Sequence, residues 1–469
     1  MSGQGGPEPS PSGWRKFRRA ALLDQAARGP WGGLLASAMI WADPPTIWAM
    51  TEWYFPASRL WAAAELVRGD ARALAREAGA GLPGGLWLAT ASRILKSYCE
   101  TLEAAREADA DWHEAMWSAH PPPDKELLEL ESARRWRHTA HSSMRAAFLA
   151  LLAGGEVPAL KWAIPSPDEM MRLRGPALRE PEKAFAPLPE TGIEIAHGLP
   201  KEGLTEYWLR FEGANGNRAY ARVTEPDTAR ALPTLIMGNG VCVEWDRLVR
   251  GVGMGRLLAD RGFRAIEIVS PGHGLRAWAG WYAGEWLFAA GPLGTLYILA
   301  TQACEVGMLV AWARKRYGGP VAVGGVSMGA LAAEHVLSRC AAWPEENRPD
   351  GGLLVGHTGR IDRAGQSGAL ARRFGMEEAL KHAGWSKDDL KIWLPVVNPR
   401  PATCVPPGNI VSVLGKRDEL LPFSDGQATV ESWRLPEENR FTLPQGHFGL
   451  PLGILRDPRP FERLHHGLG

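Results

Sequence analysis

The chain has 469 residues, 45% hydrophobic and 22% charged, with a formal net charge of +1. That is enough apolar material for two compact regions, and it excludes an unfolded, highly charged chain. The balanced charge leaves no electrostatic footprint for nucleic acid or for an anionic membrane.

Cys99, Cys242, Cys304, Cys340 and Cys404 are scattered and odd in number. They form no metal-ligand spacing and no disulfide framework, which fits a reducing compartment. There is also no P-loop, dinucleotide fingerprint or zinc spacing, so neither a cofactor nor a metal is expected.

In chain order, residues 1–13 are rich in Gly, Pro and Ser and read as disordered. Arg15, Lys16, Arg18 and Arg19 look like the start of an export signal, but Asp24 and Arg28 interrupt the stretch behind them. The next apolar run, 31–42, stops at Asp43-Pro44-Pro45, short of the roughly 20 residues that a bilayer span needs. The expected location is the cytoplasm, with some capacity for peripheral contact with a lipid surface.

Residues 14–164 read as a Trp-rich helical region, with helical spacing over 59–78, 91–118 and 125–153. Pro and Gly clusters at 81–85 and 121–123 separate the helices. Trp41, Trp48, Trp53, Trp61, Trp87, Trp112, Trp117 and Trp136 either line an apolar channel or membrane interface, or pack these helices onto the rest of the chain. Packing is the favoured reading. Residues 165–200, with several prolines and little periodicity, read as a linker.

From 201 to 469 short apolar runs alternate with helical stretches. Strands are expected near 204–212, 218–224, 234–238, 263–269, 321–326, 352–356, 409–415 and 439–443, and helices over 245–260, 293–317, 328–339 and 458–466. This is the α/β class: a mostly parallel sheet with helices on both faces and an antiparallel hairpin at its edge. The segment 358–404 is too long for a simple crossover and is expected to cap the site, with Trp385 and Trp393 as substrate-facing or packing residues. The aromatic stretch 275–295 either overhangs the site or anchors the N-terminal helices.

The most informative stretch is 321–330. An apolar strand ends in Gly325-Val326-Ser327-Met328-Gly329 and runs directly into a helical sequence. A serine at such a turn is presented at a strained apex, and bulky side chains two residues either side would collide with neighbouring backbone. A serine hydroxyl is a weak nucleophile, so it needs a base, and the base needs an orienting acid. Asp418 lies just past the strand 409–415, and His447 lies in a Gly-flanked loop after 439–443. Glu419 and Asp425 compete for the acid role, and Asp418 is favoured.

An oxyanion hole requires two converging amides. One is expected from Met328, the other from Asn239 or Gly240 in the loop after 234–238. His273, in Ser270-Pro271-Gly272-His273-Gly274, reads as a turn histidine, and Cys242 as a packing residue.

With elbow, acid, histidine, Gly-rich loop and Pro-Gly-His-Gly in register, residues 201–469 resemble the α/β-hydrolase superfamily. Within it, Gly238-Asn239-Gly240 with Trp245-Asp246-Arg247, and Val326-Ser327-Met328-Gly329, are similar to the branch of abhydrolase domain-containing protein eighteen. Ala330 departs from the glycine common after that elbow, and Ser270 from a frequent aspartate. The helical region ahead of the body is also similar to polyhydroxyalkanoate synthases, but Ser327 stands where those enzymes use cysteine.

The resemblance implies a serine hydrolase acting on a small-molecule or lipid-like carboxylic ester with a hydrophobic acyl part, through an acyl-enzyme. An acyltransferase using the same intermediate, or a silent scaffold binding a lipid or protein partner, are the alternatives. Three complete triad groups argue against silence.

Overall fold

The computed structural model describes residues 43–469 except 82, 155, 191, 229–230, 245 and 248–252. The expectations for 1–13, for the basic cluster at 15–19, and for Trp41 and Trp245 lie outside the described residues. The N-terminal part folds into helices α1 (Asp43–Ala49), α2 (Phe55–Val67), α3 (Ala71–Ala78), α4 (Gly85–Met116), α5 (Asp124–Ser143) and α6 (Arg145–Leu152), with a π-helical turn, Met50–Tyr54, between the first two.

Two of the expected helices are divided. The stretch 59–78 breaks where Arg68 and Gly69 adopt φ of 45° and 93°. Asp70 then starts α3 by accepting hydrogen bonds from the amides of Arg72 and Ala73. The stretch 125–153 divides at Met144.

The region 165–200 is not a bare linker. It contains α7 (Pro167–Arg179), α8 (Pro181–Ala184), β1 (Glu194–Ile195) and β2 (Leu199–Lys201). Two of its prolines, Pro167 and Pro181, start helices, where a missing N–H costs nothing. Ser166 accepts from the Glu169 amide at the start of α7, and buried Met170 ties that helix to the core.

The strands are β3 (Leu204–Glu212), β4 (Arg218–Pro226), β5 (Thr234–Gly238), β6 (Arg264–Ile268), β7 (Val321–Val326), β8 (Gly351–Val355), β9 (Ile410–Gly415) and β10 (Arg440–Leu443). Among the described residues they form one mixed sheet in the order β1-β3-β4-β6-β5-β7-β8-β9-β10, with β2 on the edge of β3. β4 is antiparallel to β3 and to β6, and every neighbouring pair from β6 to β10 is parallel.

The inner strands read as continuous apolar runs because both faces of the sheet are covered. Ile236, Val321, Val323 and Leu354 pack into one core, while Leu235, Ala322, Leu353 and Val411 pack into the other. Successive residues of a strand therefore serve opposite layers.

The remaining helices are α9 (Gly255–Asp260), α10 (Glu285–Ala289), α11 (Gly291–Tyr317), α12 (Met328–Arg339), α13 (Ile361–Ser367), α14 (Ala369–Phe374), α15 (Met376–His382), α16 (Lys387–Ile392), α17 (Leu394–Val397), α18 (Phe423–Ser432), α19 (Leu450–Arg456) and α20 (Arg459–Leu468). Of the helix expected over 245–260, the described residues show α9, with Asp246 and Arg247 in a turn; 245 and 248–252 lie outside the described residues. α11 is long and apolar enough to cross a membrane, but 78% of its apolar window is buried, as in a core helix. Helices α13–α17 occupy the segment between β8 and β9.

Charged groups as well as indoles hold the N-terminal helices to the sheet. Arg59 and Glu285, both fully buried, pair at 2.8 Å, and Arg59 also donates to the Gly280 carbonyl. Arg145 pairs with Glu244 at 2.8 Å, and Arg134 donates to the Asp246 carbonyl. Trp112 packs edge-on against Trp208 of β3, and Trp87 is buried among the helices. Trp48, Trp53 and Trp136 remain exposed.

Candidate active site

Strand β7 ends at Val326, Ser327 takes φ 54° and ψ −120°, and α12 begins at Met328. A non-glycine residue in that region stores about 1–3 kcal/mol of strain, which the surroundings must hold. The Ser327 amide donates to the Val355 carbonyl at 2.8 Å, and the Gly329 amide to the Asn239 carbonyl at 3.1 Å. Both flanking glycines are sterically required. A Cβ on Gly325 would lie 2.3 Å from the Gly329 carbonyl carbon, and one on Gly329 would lie 2.2 Å from the Gly238 carbonyl carbon.

The acid and the base arrive from neighbouring parallel strands. Residues 415 and 443 are in register on β9 and β10, and beyond them the Lys416 amide donates to the Leu443 carbonyl and the Arg417 amide to that of Gln445. Asp418 and His447 thus leave the sheet side by side. His447 Nε2 lies 2.8 Å from Ser327 Oγ, and its Nδ1 lies 2.7 Å from Asp418 Oδ2. The second Asp418 oxygen accepts from the amides of Leu420 and Leu421, which fixes the carboxylate. The fold is the α/β-hydrolase fold. The strand order, with its single inversion at β6-β5, and the elbow after β7 decide it.

Within this fold, burial disfavours the His447 imidazolium, yet the carboxylates of Asp418 and, after it, Asp43 outweigh that and hold its pKa above the ordinary range. The other candidates for acid and base lie elsewhere. Asp425 is on α18 and pairs with Arg363 at 2.8 Å. Glu419 engages the site through its amide rather than its carboxylate. His273 is buried in its turn, with Nδ1 2.9 Å from the Pro271 carbonyl. Cys242 has φ 65°, and burial pushes its thiol up to about 12, so it is no thiolate nucleophile.

Met328 is the first residue of α12, with its amide at the helix N-terminus beside the serine. On the facing loop, Asn239 is tied to the elbow through its carbonyl. A Cβ on Gly240 would lie only 3.5 Å from Ser327 Cβ. The loop therefore sits against the nucleophile, and Val241 continues into the cavity wall.

That cavity opens over Ser327 and His447, with roughly 1010 Å³ of empty space including its mouth, and its walls are overwhelmingly apolar. Leu287 and Phe288 come from the aromatic stretch; Ile361, Leu370, Met376, Leu380 and Trp393 come from α13–α17 and the residues joining them. Trp385 does not line it: its indole N–H donates to the Pro165 carbonyl. The aromatic stretch 275–295 also anchors the N-terminal helices, through Tyr282 to the Ala159 carbonyl and Glu285 to Arg59. None of the described N-terminal tryptophans lines the cavity.

Two features escape a reading of the sequence. Asp43, at the start of α1, accepts the amides of Glu419 and His447. Its one local signal is the Asp-Pro-Pro that starts a helix; nothing there points to a residue 404 positions away. The second is a fully buried trio in which His357 bridges Glu334 and Ser412.

No family model and no curated protein matches the chain. Solved structures similar to part of it include a cold-adapted esterase from an Arctic intertidal metagenomic library, at 17% identity over 58% of this chain and 97% of that one, with TM-score 0.37. Acetyl xylan esterase 1 from Thermoanaerobacterium sp. JW/SL YS485 is 14% identical over 65% of this chain and 96% of that one, with TM-score 0.41. The acylaminoacyl peptidase of Pyrococcus horikoshii is 11% identical over 56% of this chain and 40% of that one, with TM-score 0.38.

Proposed function

We propose that the protein is a serine hydrolase that cleaves carboxylic esters of apolar acids. One observation carries this reading: Ser327 Oγ, held on a strained elbow within 2.8 Å of a carboxylate-backed imidazole, faces an apolar cavity. Ser327 Oγ attacks the ester carbonyl while His447 Nε2 takes its proton. The oxyanion is met by the amide of Met328 and one from the loop 239–240. Collapse breaks the ester C–O bond, and the imidazolium returns the proton to the leaving alcohol. Water, deprotonated by His447, then attacks the acyl-Ser327 carbonyl; the C–Oγ bond breaks, the imidazolium returns the proton to Ser327 Oγ, and the acid leaves.

The Asp418 carboxylate keeps Nδ1 protonated and stabilises the imidazolium. The apolar walls supply affinity for the acyl chain, and each methylene they bury is worth about fourfold in kcat/KM. The test is hydrolysis of p-nitrophenyl esters from acetate to decanoate by wild type and Ser327→Ala. Activity that rises with chain length and vanishes in the variant is expected. Activity that survives the substitution, or wild-type rates flat across the series, would overturn the reading.

A further inference from the structure

Resting on that reading of Ser327, we propose that Asp43 is a positioning residue of the catalytic triad: the N-terminal region supplies a second carboxylate that locks the acid loop and the base loop together. Asp43 Oδ2 accepts from the Glu419 amide at 2.8 Å and from the His447 amide at 2.9 Å, while Oδ1 accepts from the Phe448 amide at 3.4 Å. Glu419 directly follows the acid, and Phe448 directly follows the base. One carboxylate thus sets the distance between the two backbone segments that carry the Asp418–His447 pair.

The fit is tight on the loop side. A Cβ on Gly446 would lie 2.3 Å from Asp43 Oδ1, so the glycine before His447 makes room for this carboxylate.

Charge gives a second argument. Asp43 is buried, and burial, joined by the neighbouring Asp418 carboxylate, holds its pKa above the usual carboxylate value despite the amides of His447 and Glu419. Asp418 and His447 are the charged groups acting on it. Placing a second carboxylate beside Asp418 is unfavourable unless the cation that forms between them at His447 benefits. That cation is the imidazolium of the transition state. Asp43 touches no substrate atom; it acts through the position and charge balance of His447.

The experiment measures the rate of fluorophosphonate labelling against pH for wild type, Asp43→Asn and Asp43→Glu, with rates normalised to folded protein by thermal unfolding. Asp43→Asn is expected to label about tenfold more slowly at neutral pH. Its acid limb is expected to move to lower pH, because removing a carboxylate makes the imidazolium easier to deprotonate. Asp43→Glu disturbs the packing at least as much but keeps the charge, so its limb should stay near that of wild type.

Asp43→Asn labelling at the wild-type rate with an unmoved limb would overturn the inference while leaving Ser327 as the nucleophile. A slower rate with the limb unmoved in both variants would reduce Asp43 to a packing residue. Folded wild type that does not label at all would overturn the reading of Ser327 itself, and the inference with it.

Discussion

Two Ser–His–carboxylate trios stand in this molecule with almost the same hydrogen bonds. In one, His447 lies 2.8 Å from Ser327 and 2.7 Å from Asp418. In the other, His357 lies 2.7 Å from Ser412 and 2.8 Å from Glu334. Their environments separate them. Ser327 sits on a positive-φ apex at the mouth of a cavity, whereas Ser412 lies within β9 and is sealed along with its partners. Asp418 has two backbone amides on its free oxygen, while burial pushes the Glu334 carboxyl above its usual range. Hydrogen-bond reach alone does not make a nucleophile. A strained turn at a cavity mouth, room for an acyl group and a carboxylate fixed by backbone amides are what the reading of Ser327 adds to it.

Several substitutions would break this contrast if it is wrong. The largest effect belongs to the serines: Ser327→Ala should lower ester hydrolysis about 10⁴-fold or more, and Ser412→Ala should leave it within about twofold in steady-state assays. Asp418→Asn should cost about 10⁴-fold in kcat, because the imidazole loses the partner that fixes its tautomer. Glu334→Gln, measured in parallel, should cost nothing comparable.

Stability should reverse the ranking of the histidines. His357→Ala strands the buried Glu334 and Ser412 groups and should lower unfolding free energy by about 3 kcal/mol in denaturant titrations. His447→Ala should leave the melt nearly unchanged while abolishing activity. A fall of the same size in both would erase the distinction between a structural and a catalytic trio.

A smaller effect concerns pH. His447 must be neutral to accept the serine proton, and its pKa is raised by the carboxylates around it. Activity should therefore begin to fall, as pH drops, at a higher pH than an ordinary histidine would give. A kcat/KM profile with its acid limb below the usual imidazole range would contradict this. Smallest of all, Trp393→Ala should remove about 1–2 kcal/mol of preference for long over short acyl chains while sparing acetate.

Much of the site was legible because its chemistry is local. Strand, sharp turn and helix meet at Ser327, and Asp418 and His447 each follow a short apolar strand, so motif and periodicity together single out three groups that the fold brings within hydrogen-bond reach. The α/β layering was legible for the same reason: apolar runs of five or six residues, such as 321–326 and 410–415, have few other places to go. What was missed depends on long-range packing. Nothing near Asp43 encodes that it closes on residues 419 and 447. The prolines of 165–200 look alike whether they begin a helix or interrupt one, and only the burial of Met170 decides. Ser412, His357 and Glu334 carry no shared motif; β9, the end of β8 and α12 bring them together.

The most direct measurement is peptide mapping of the intact, folded protein after reaction with a fluorophosphonate. The account predicts one adduct, on Ser327, absent from His447→Ala. An adduct on Ser412, or folded protein that remains unmodified, would contradict it.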